Sequence, residues 1–412
     1  MKLLVQPFPL NDESLESYLL RLSNDNGFST YRQLSYEVWS HINESDYEAS
    51  GAFPRDLASV NVYHASVTSN FRVRAIKIFE SCAEIDKLPL LSKAVLNSNL
   101  KFGKKLSSVT YQGTIIPHCF LRQSSIPVCP QCLTDKSYIR QHWHLLPYNV
   151  CHKHECELLS HCPECHAELN YQATELINYC CCGFDLRDAH TPEANSQSLQ
   201  LSKLLTQEVV GSAINGRLYE LSLSQRYGAL LWFYKRHHPR LSNFVNDNQD
   251  LVQAVDYFAN WPANYHQELK QMQSDGQLMQ IKPFNKTAFK QVFGDLLLDC
   301  RQLPFRDRNE NFILNDTIQF LEKLVDDNPK TKQPNIADCL LTLLEVATIL
   351  STTHEQVKRL YKDGYLTLSF QLSKYETLEP YQPGFYLREV TELLASGIQG
   401  SLGRFTNYVP AW

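Results

Sequence analysis

The 412-residue sequence predicts a mainly α-helical protein, with a helix-turn-helix toward each end and a compact cysteine-rich module between. Three observations carry that reading. Apolar residues recur at helical spacing through residues 11–40, 199–328 and 340–362. Proline, glycine and polar clusters punctuate these blocks. Ten of the 13 cysteines fall from Cys119 to Cys182.

Composition bounds the function. Hydrophobic residues make up 43% of the chain, enough for several cores, and the length suits two to four domains. The divisions expected are 1–116, N-terminal helical with a helix-turn-helix; 117–190, tandem fingers; 191–330, helical; and 331–412, with a second helix-turn-helix. A formal charge of −5 excludes a protein that coats nucleic acid by bulk charge. Met1–Leu10 carries one lysine and an apolar run broken by Pro7 and Pro9, too little for a signal peptide. No segment approaches the ~18 apolar residues of a membrane span. A reducing cytoplasm is the expected compartment, where clustered cysteines favour metal over disulfides.

Taken in order, Asn11 or Asp12 is placed to cap a helix carrying Leu15, Tyr18, Leu19 and Leu22. Asn24-Asp25-Asn26-Gly27 stops it. Ser29 or Thr30 opens a second helix through Leu34, Val38 and Trp39. Helix-turn-helix and plain packed pair are equal readings here. Residues 41–54 read as loop. Residues 72–105 hold eight basic and three acidic residues, with Arg72, Arg74, Lys77, Lys87, Lys93, Lys101, Lys104 and Lys105 as the cations. The commoner meaning is a solvated face; the functional one is a surface for phosphate or an acidic partner. Thr191–Ser198 and Asp326–Pro334 read as linkers.

Two metal-ligand patterns follow each other. Cys129-Pro-Gln-Cys132 precedes Cys151-His-Lys-His154, and Cys162-Pro-Glu-Cys165 precedes Cys180-Cys181-Cys182-Gly183. Each Cys-x2-Cys turn sets two thiolates on one side of the chain, and a second pair completes a tetrahedron for Zn2+. The pattern predicts tandem zinc-ribbon-like fingers holding two structural Zn2+ ions. Cys180 and Cys182 are the better pair in the second set, with Cys181 the alternative to Cys180. Sequential pairing is favoured over a cross-braced arrangement. Cys119 and Cys156 read as buried thiols. His142, Trp143, His144, His152 and His161 read as surrounding residues rather than ligands. Both sets are closed, whereas a catalytic zinc keeps a position open. Residues 117–190 hold five basic and eight acidic residues, which suits a scaffold better than a DNA-reading finger.

Near the C-terminus, residues 343–350 and 354–362 predict a helix-turn-helix. Capping boxes are expected at Thr342/Glu345 and Thr352/Glu355, and Val346, Leu350, Val357 and Leu360 as shared core. Lys358, Arg359 and Lys362 leave the second helix basic, fit for nucleic acid or for a protein partner. No phosphate-binding Gly-x4-Gly-Lys-Ser/Thr loop or Gly-x-Ser-x-Gly elbow is present. Gly397, Gly400 and Gly403 read as a turn. No catalytic or cofactor-binding residues are assigned, and the chain does not read as an enzyme.

The residues resemble a known family. Gln6-Pro-Phe-Pro9, Asp12-Glu-Ser-Leu-Glu-Ser17, Arg21-Leu22 and Asn26-Gly27 resemble the start of TniQ proteins. So does the string Ile126-Pro-Val-Cys-Pro-Gln-Cys-Leu133, Arg140, Trp143-His144, Cys151-His-Lys-His154, Leu158, Cys162 and Cys165. Phe258-Ala-Asn-Trp-Pro262 and Trp412 are similar to the branch carried by type I-F CRISPR-associated transposons. In one member of that branch the second finger reads Cys-x-Cys then Cys-x2-Cys; here the order is reversed. The resemblance implies a non-catalytic bacterial adaptor. It would form a homodimer, sit on the Cascade effector with its guide RNA, and recruit the AAA+ ATPase TnsC, touching target DNA indirectly. The competing class is a sequence-specific DNA-binding target selector similar to TnsD.

Overall fold

The structure is a computed structural model describing residues 2–65, 69–83, 90–103, 106–206, 216–238, 251–305, 308–372 and 378–396. The chain is mostly helical, with three small antiparallel sheets among the described residues. It divides into two compact units, Met1–Asp256 and Tyr257–Trp412. Among the described residues no helix is long and apolar enough to cross a membrane.

The first unit opens with the Leu15–Asp25 helix. Ser14, rather than Asn11 or Asp12, caps it by accepting the Ser17 amide. The chain turns at Gly27, whose φ of +79° suits a residue without Cβ. Thr30 then caps the Tyr31–Ser45 helix. That helix, with Tyr47–Ser50 after it, occupies much of the segment expected as loop. The missed signal is the continued spacing of buried Leu34, Val38 and Ile42. Asp46 interrupts the run by capping the short helix through the Ala49 amide.

The sheet of Leu96–Gly103, Leu106–Tyr111 and Thr114–Pro117 was not expected from periodicity. Its local cue is the two-residue turn Gln112-Gly113, both at positive φ, which matches the twist of a hairpin. The expected 191–198 linker is also structured. Glu193 bridges Cys156, and the Glu157 amide donates to the Pro192 carbonyl at 2.9 Å. Asn195 then caps the Ser196–Leu204 helix.

The second unit begins at Tyr257. Its longest helices among the described residues are Ala263–Leu278 and Phe312–Asp326. Two short helices, Phe289–Phe293 and Leu296–Cys300, are separated where Gly294 takes a φ of +59°. Leu343–Ile349 and His354–Lys362 follow, with Ala347, Val346, Leu350, Val357 and Leu360 buried as their core. Thr342 and Glu345 form the expected reciprocal cap. The Thr352/Glu355 box does not form: Thr353 accepts the Gln356 amide, and Glu355 pairs with His354 and Lys358. Strands Leu340–Thr342 and Pro383–Tyr386 pair beside these helices.

Candidate metal centre

The first cluster is assembled by two short elements. Cys129 caps the Pro130–Asp135 helix, and its sulfur accepts the Cys132 amide at 3.4 Å. Pro130 occupies the first helical position, where its missing N–H costs nothing. Cys151 ends the strand Val150–Cys151, which pairs with Cys156–Glu157. The turn between them passes through Glu155 at φ +52°, closes with the Glu155 amide on the Cys151 carbonyl, and swings His154 back toward the helix.

The four donors converge. His154 Nδ1 lies 3.5, 3.2 and 3.6 Å from the sulfurs of Cys129, Cys132 and Cys151, and Cys132 Sγ is 3.5 Å from Cys151 Sγ. Around a tetrahedral Zn2+ with bonds of ~2.3 Å to sulfur and ~2.0 Å to nitrogen, donors sit about 3.5–3.8 Å apart. The spacing therefore fits the ion. Electrostatics agree. Hydrogen bonds from Cys129 and Cys132 hold the Cys151 thiol far below its usual range, while the same sharing drives Cys129 up. Further thiolates at this point require a cation.

The second cluster is Cys162, Cys165, Cys180 and Cys182, all within 4.8 Å of one another. Cys162 Sγ is 3.7 Å from Cys182 Sγ, and Cys165 Sγ is 3.5 Å from Cys180 Sγ. His166 at φ +57° turns the first pair and Gly183 at φ +90° the second. Desolvation opposes ionisation of Cys162, but the Cys165 and Glu164 amides outweigh it and bring the thiol down to about 7. Pairing is sequential, and Cys180 rather than Cys181 joins the group. Cys181 is exposed, its sulfur 3.8 Å from Cys180. The two clusters could hold two Zn2+ ions, which would supply the fixed tetrahedral cross-links such short elements lack.

The surrounding histidines are turned elsewhere. Burial pushes His142 and His144 down to about 3, so both are neutral near pH 7. His144 Nε2 meets Tyr171 Oη at 3.0 Å, and His152 Nδ1 meets Tyr148 Oη at 2.7 Å. His161 is exposed beside Ser160. Cys156 is buried as expected, but lies 3.7 Å from Cys129 Sγ, close enough to hydrogen-bond a metal-bound thiolate. Cys119 is only partly buried, and desolvation raises it to about 12.

Sequence reasoning missed how the N-terminal motif serves this module. The Ser14 amide donates to the Ile139 carbonyl, the Ile139 amide to Ser17 Oγ, and the Gln141 amide to the Asp12 carbonyl. Tyr138 Oη donates to Asp12 Oδ1 at 2.7 Å. Fully buried Glu13 takes two 2.7 Å bonds from Arg21. Residues 12–21 thus clamp the segment joining Cys132 to Cys151.

The expected basic surface is dispersed. Arg72 is buried and donates to the Ser59 carbonyl. Lys93 is buried against the Leu10 and Asn11 carbonyls, and Arg74 pairs with Asp46 and Glu48. Lys77 and Lys101 are exposed; Lys87, Lys104 and Lys105 lie outside the described residues, as do Trp412 and the glycines at 397, 400 and 403. On the His354–Lys362 helix, Arg359 and Lys362 are exposed while Lys358 pairs with Glu355.

Fold and clusters define a mainly helical protein whose first unit is organised around two closed four-ligand sets. The TniQ family model matches residues 4–158. The match spans the first two helices, the hairpin sheet and the whole first cluster, and it supports a TniQ-family assignment for this part of the chain. No curated protein matches the chain.

Proposed function

We propose that the protein is a non-catalytic transposition adaptor of the type I-F CRISPR-associated branch. It docks on Cascade as a homodimer in the bacterial cytoplasm and recruits TnsC for RNA-guided integration. The observation that carries the reading is the TniQ match over residues 4–158, which coincides with the clamped N-terminal motif and first cluster. Two closed ligand sets support a scaffold, since neither keeps a position for substrate or water. In this role the Zn2+ ions hold shape, and the chain's own surfaces do the binding. Guide pairing supplies sequence, so no extended basic face is required.

Co-purification with Cascade, with and without TnsC, tests the proposal when read by particle size and metal content. The expected result is a stable adaptor–Cascade complex that captures TnsC and carries two zinc ions per adaptor chain. Tight, sequence-dependent binding to plain duplex DNA without any association with Cascade would overturn it in favour of a TnsD-like selector.

A further inference from the structure

His154 is the one ligand of the first cluster that can present either of two donor atoms. A neutral imidazole carries its proton on Nδ1 or Nε2, and its ring can turn to expose either nitrogen. Only the Nε2–H form, with Nδ1 facing the sulfurs, completes this tetrahedron. The three thiols touch Nδ1 and do not fix its state, because a sulfur there can donate to bare Nδ1 or accept from Nδ1–H.

The opposite edge of the ring supplies the selection. His154 Nε2 lies 3.1 Å from Asp135 Oδ2. Asp135 is the last residue of the Pro130–Asp135 helix, whose start presents Cys129 and Cys132. One six-residue helix with its cap therefore holds two thiolates at one end and this carboxylate at the other.

We infer that Asp135 is a positioning residue for the metal: its carboxylate accepts the Nε2–H of His154 and keeps Nδ1 aimed at the ion. The inference rests on the reading that the first cluster holds Zn2+. A carboxylate behind a ligating histidine fixes the ring's tautomer and orientation and raises its basicity, and losing such a partner typically weakens metal binding about 10–100-fold. The Asp135 side chain is 64% exposed, so water competes for the bond and the lower end of that range applies. The sequence mark is an aspartate three residues beyond the second cysteine, which ligand spacing alone does not flag.

The test uses the full chain with Asp135→Ala and Asp135→Asn. Affinities come from zinc competition against a chromophoric chelator. Cadmium-113 spectra separate the three-sulfur, one-nitrogen site from the four-sulfur site. Asp135→Ala is expected to weaken the first site about tenfold and leave the second unchanged. Nitrogen-15 spectra should show a fixed Nε2–H ring on His154 in the wild type and a mobile one in Asp135→Ala. Asp135→Asn, whose amide oxygen still accepts the bond, should retain most of the affinity. Unchanged affinity in Asp135→Ala overturns the inference, as does equal weakening of both sites or an Asp135→Asn protein as weak as Asp135→Ala. A wild-type chain that binds no stoichiometric zinc overturns the metal reading itself.

Discussion

Two buried carboxylates flank Ser14, the cap of the first helix, and their partners differ. Glu13 is held by the Arg21 guanidinium, the Leu10 amide and the Ser17 hydroxyl. Among the described residues Glu16 has only neutral amides, from Asn61 at 2.6 Å and Gln172 at 3.1 Å, and its Oε2 has no partner there. Burial raises Glu16 to about 7. Its folded value lies above the unfolded one. The protonated form therefore favours folding below about pH 4.5, and that contribution is lost as pH rises toward 7. Glu16→Gln mimics the protonated acid, so denaturant unfolding at pH 8 should show a gain of about 3 kcal/mol that vanishes near pH 4. Arg21→Ala has the opposite sign. It removes the cation hydrogen-bonded to buried Glu13, and chemical denaturation should record a loss of about 3 kcal/mol. The sequence displays both acids within one short motif. Their difference is invisible there, because Asn61 and Gln172 come from distant segments.

At the scale of elements, the two knuckles are too short to stand alone. A six-residue helix and a two-residue strand cannot bury enough surface to order themselves; a bound ion's cross-links would do it. Cys132→Ser should leave the cluster open and unfold the neighbourhood of residues 117–190, seen as loss of amide protection there and of one zinc per chain. The clusters also differ in access. The three cysteines of the first are buried, whereas Cys165 and Cys182 of the second are exposed. In a chelator titration the second ion should leave first; departure in the reverse order would contradict this account. Ligand spacing was legible because Cys-x2-Cys is a local device needing only its own turn. The hairpin sheet was not, since its strands mix polar and apolar residues, as Leu96–Gly103 illustrates.

For the whole molecule, both clusters fall within Met1–Asp256 and none of their ligands within Tyr257–Trp412. Expressed separately, the first unit is expected to hold two zinc ions per chain and the second none, as metal analysis would read. Residues 117–190 are net acidic by sequence. A bound Zn2+ would offset only two thiolates per site, leaving one negative charge on the first cluster and two on the second. The metal module is thus the acidic part of the protein, and Lys77, Lys101, Arg359 and Lys362 are exposed cations elsewhere. By itself the sequence determined the helical character, the two ligand sets and the core of the 343–362 helix pair. Each depends on residues a few positions apart, within reach of one turn. Tertiary structure decided the rest. It turned Arg72 and Lys93 inward, bound residues 12–17 to 138–141, and set Asp135 against His154. Those outcomes depend on which distant backbone carbonyls and side chains packing brings within hydrogen-bonding distance, and no local pattern encodes that.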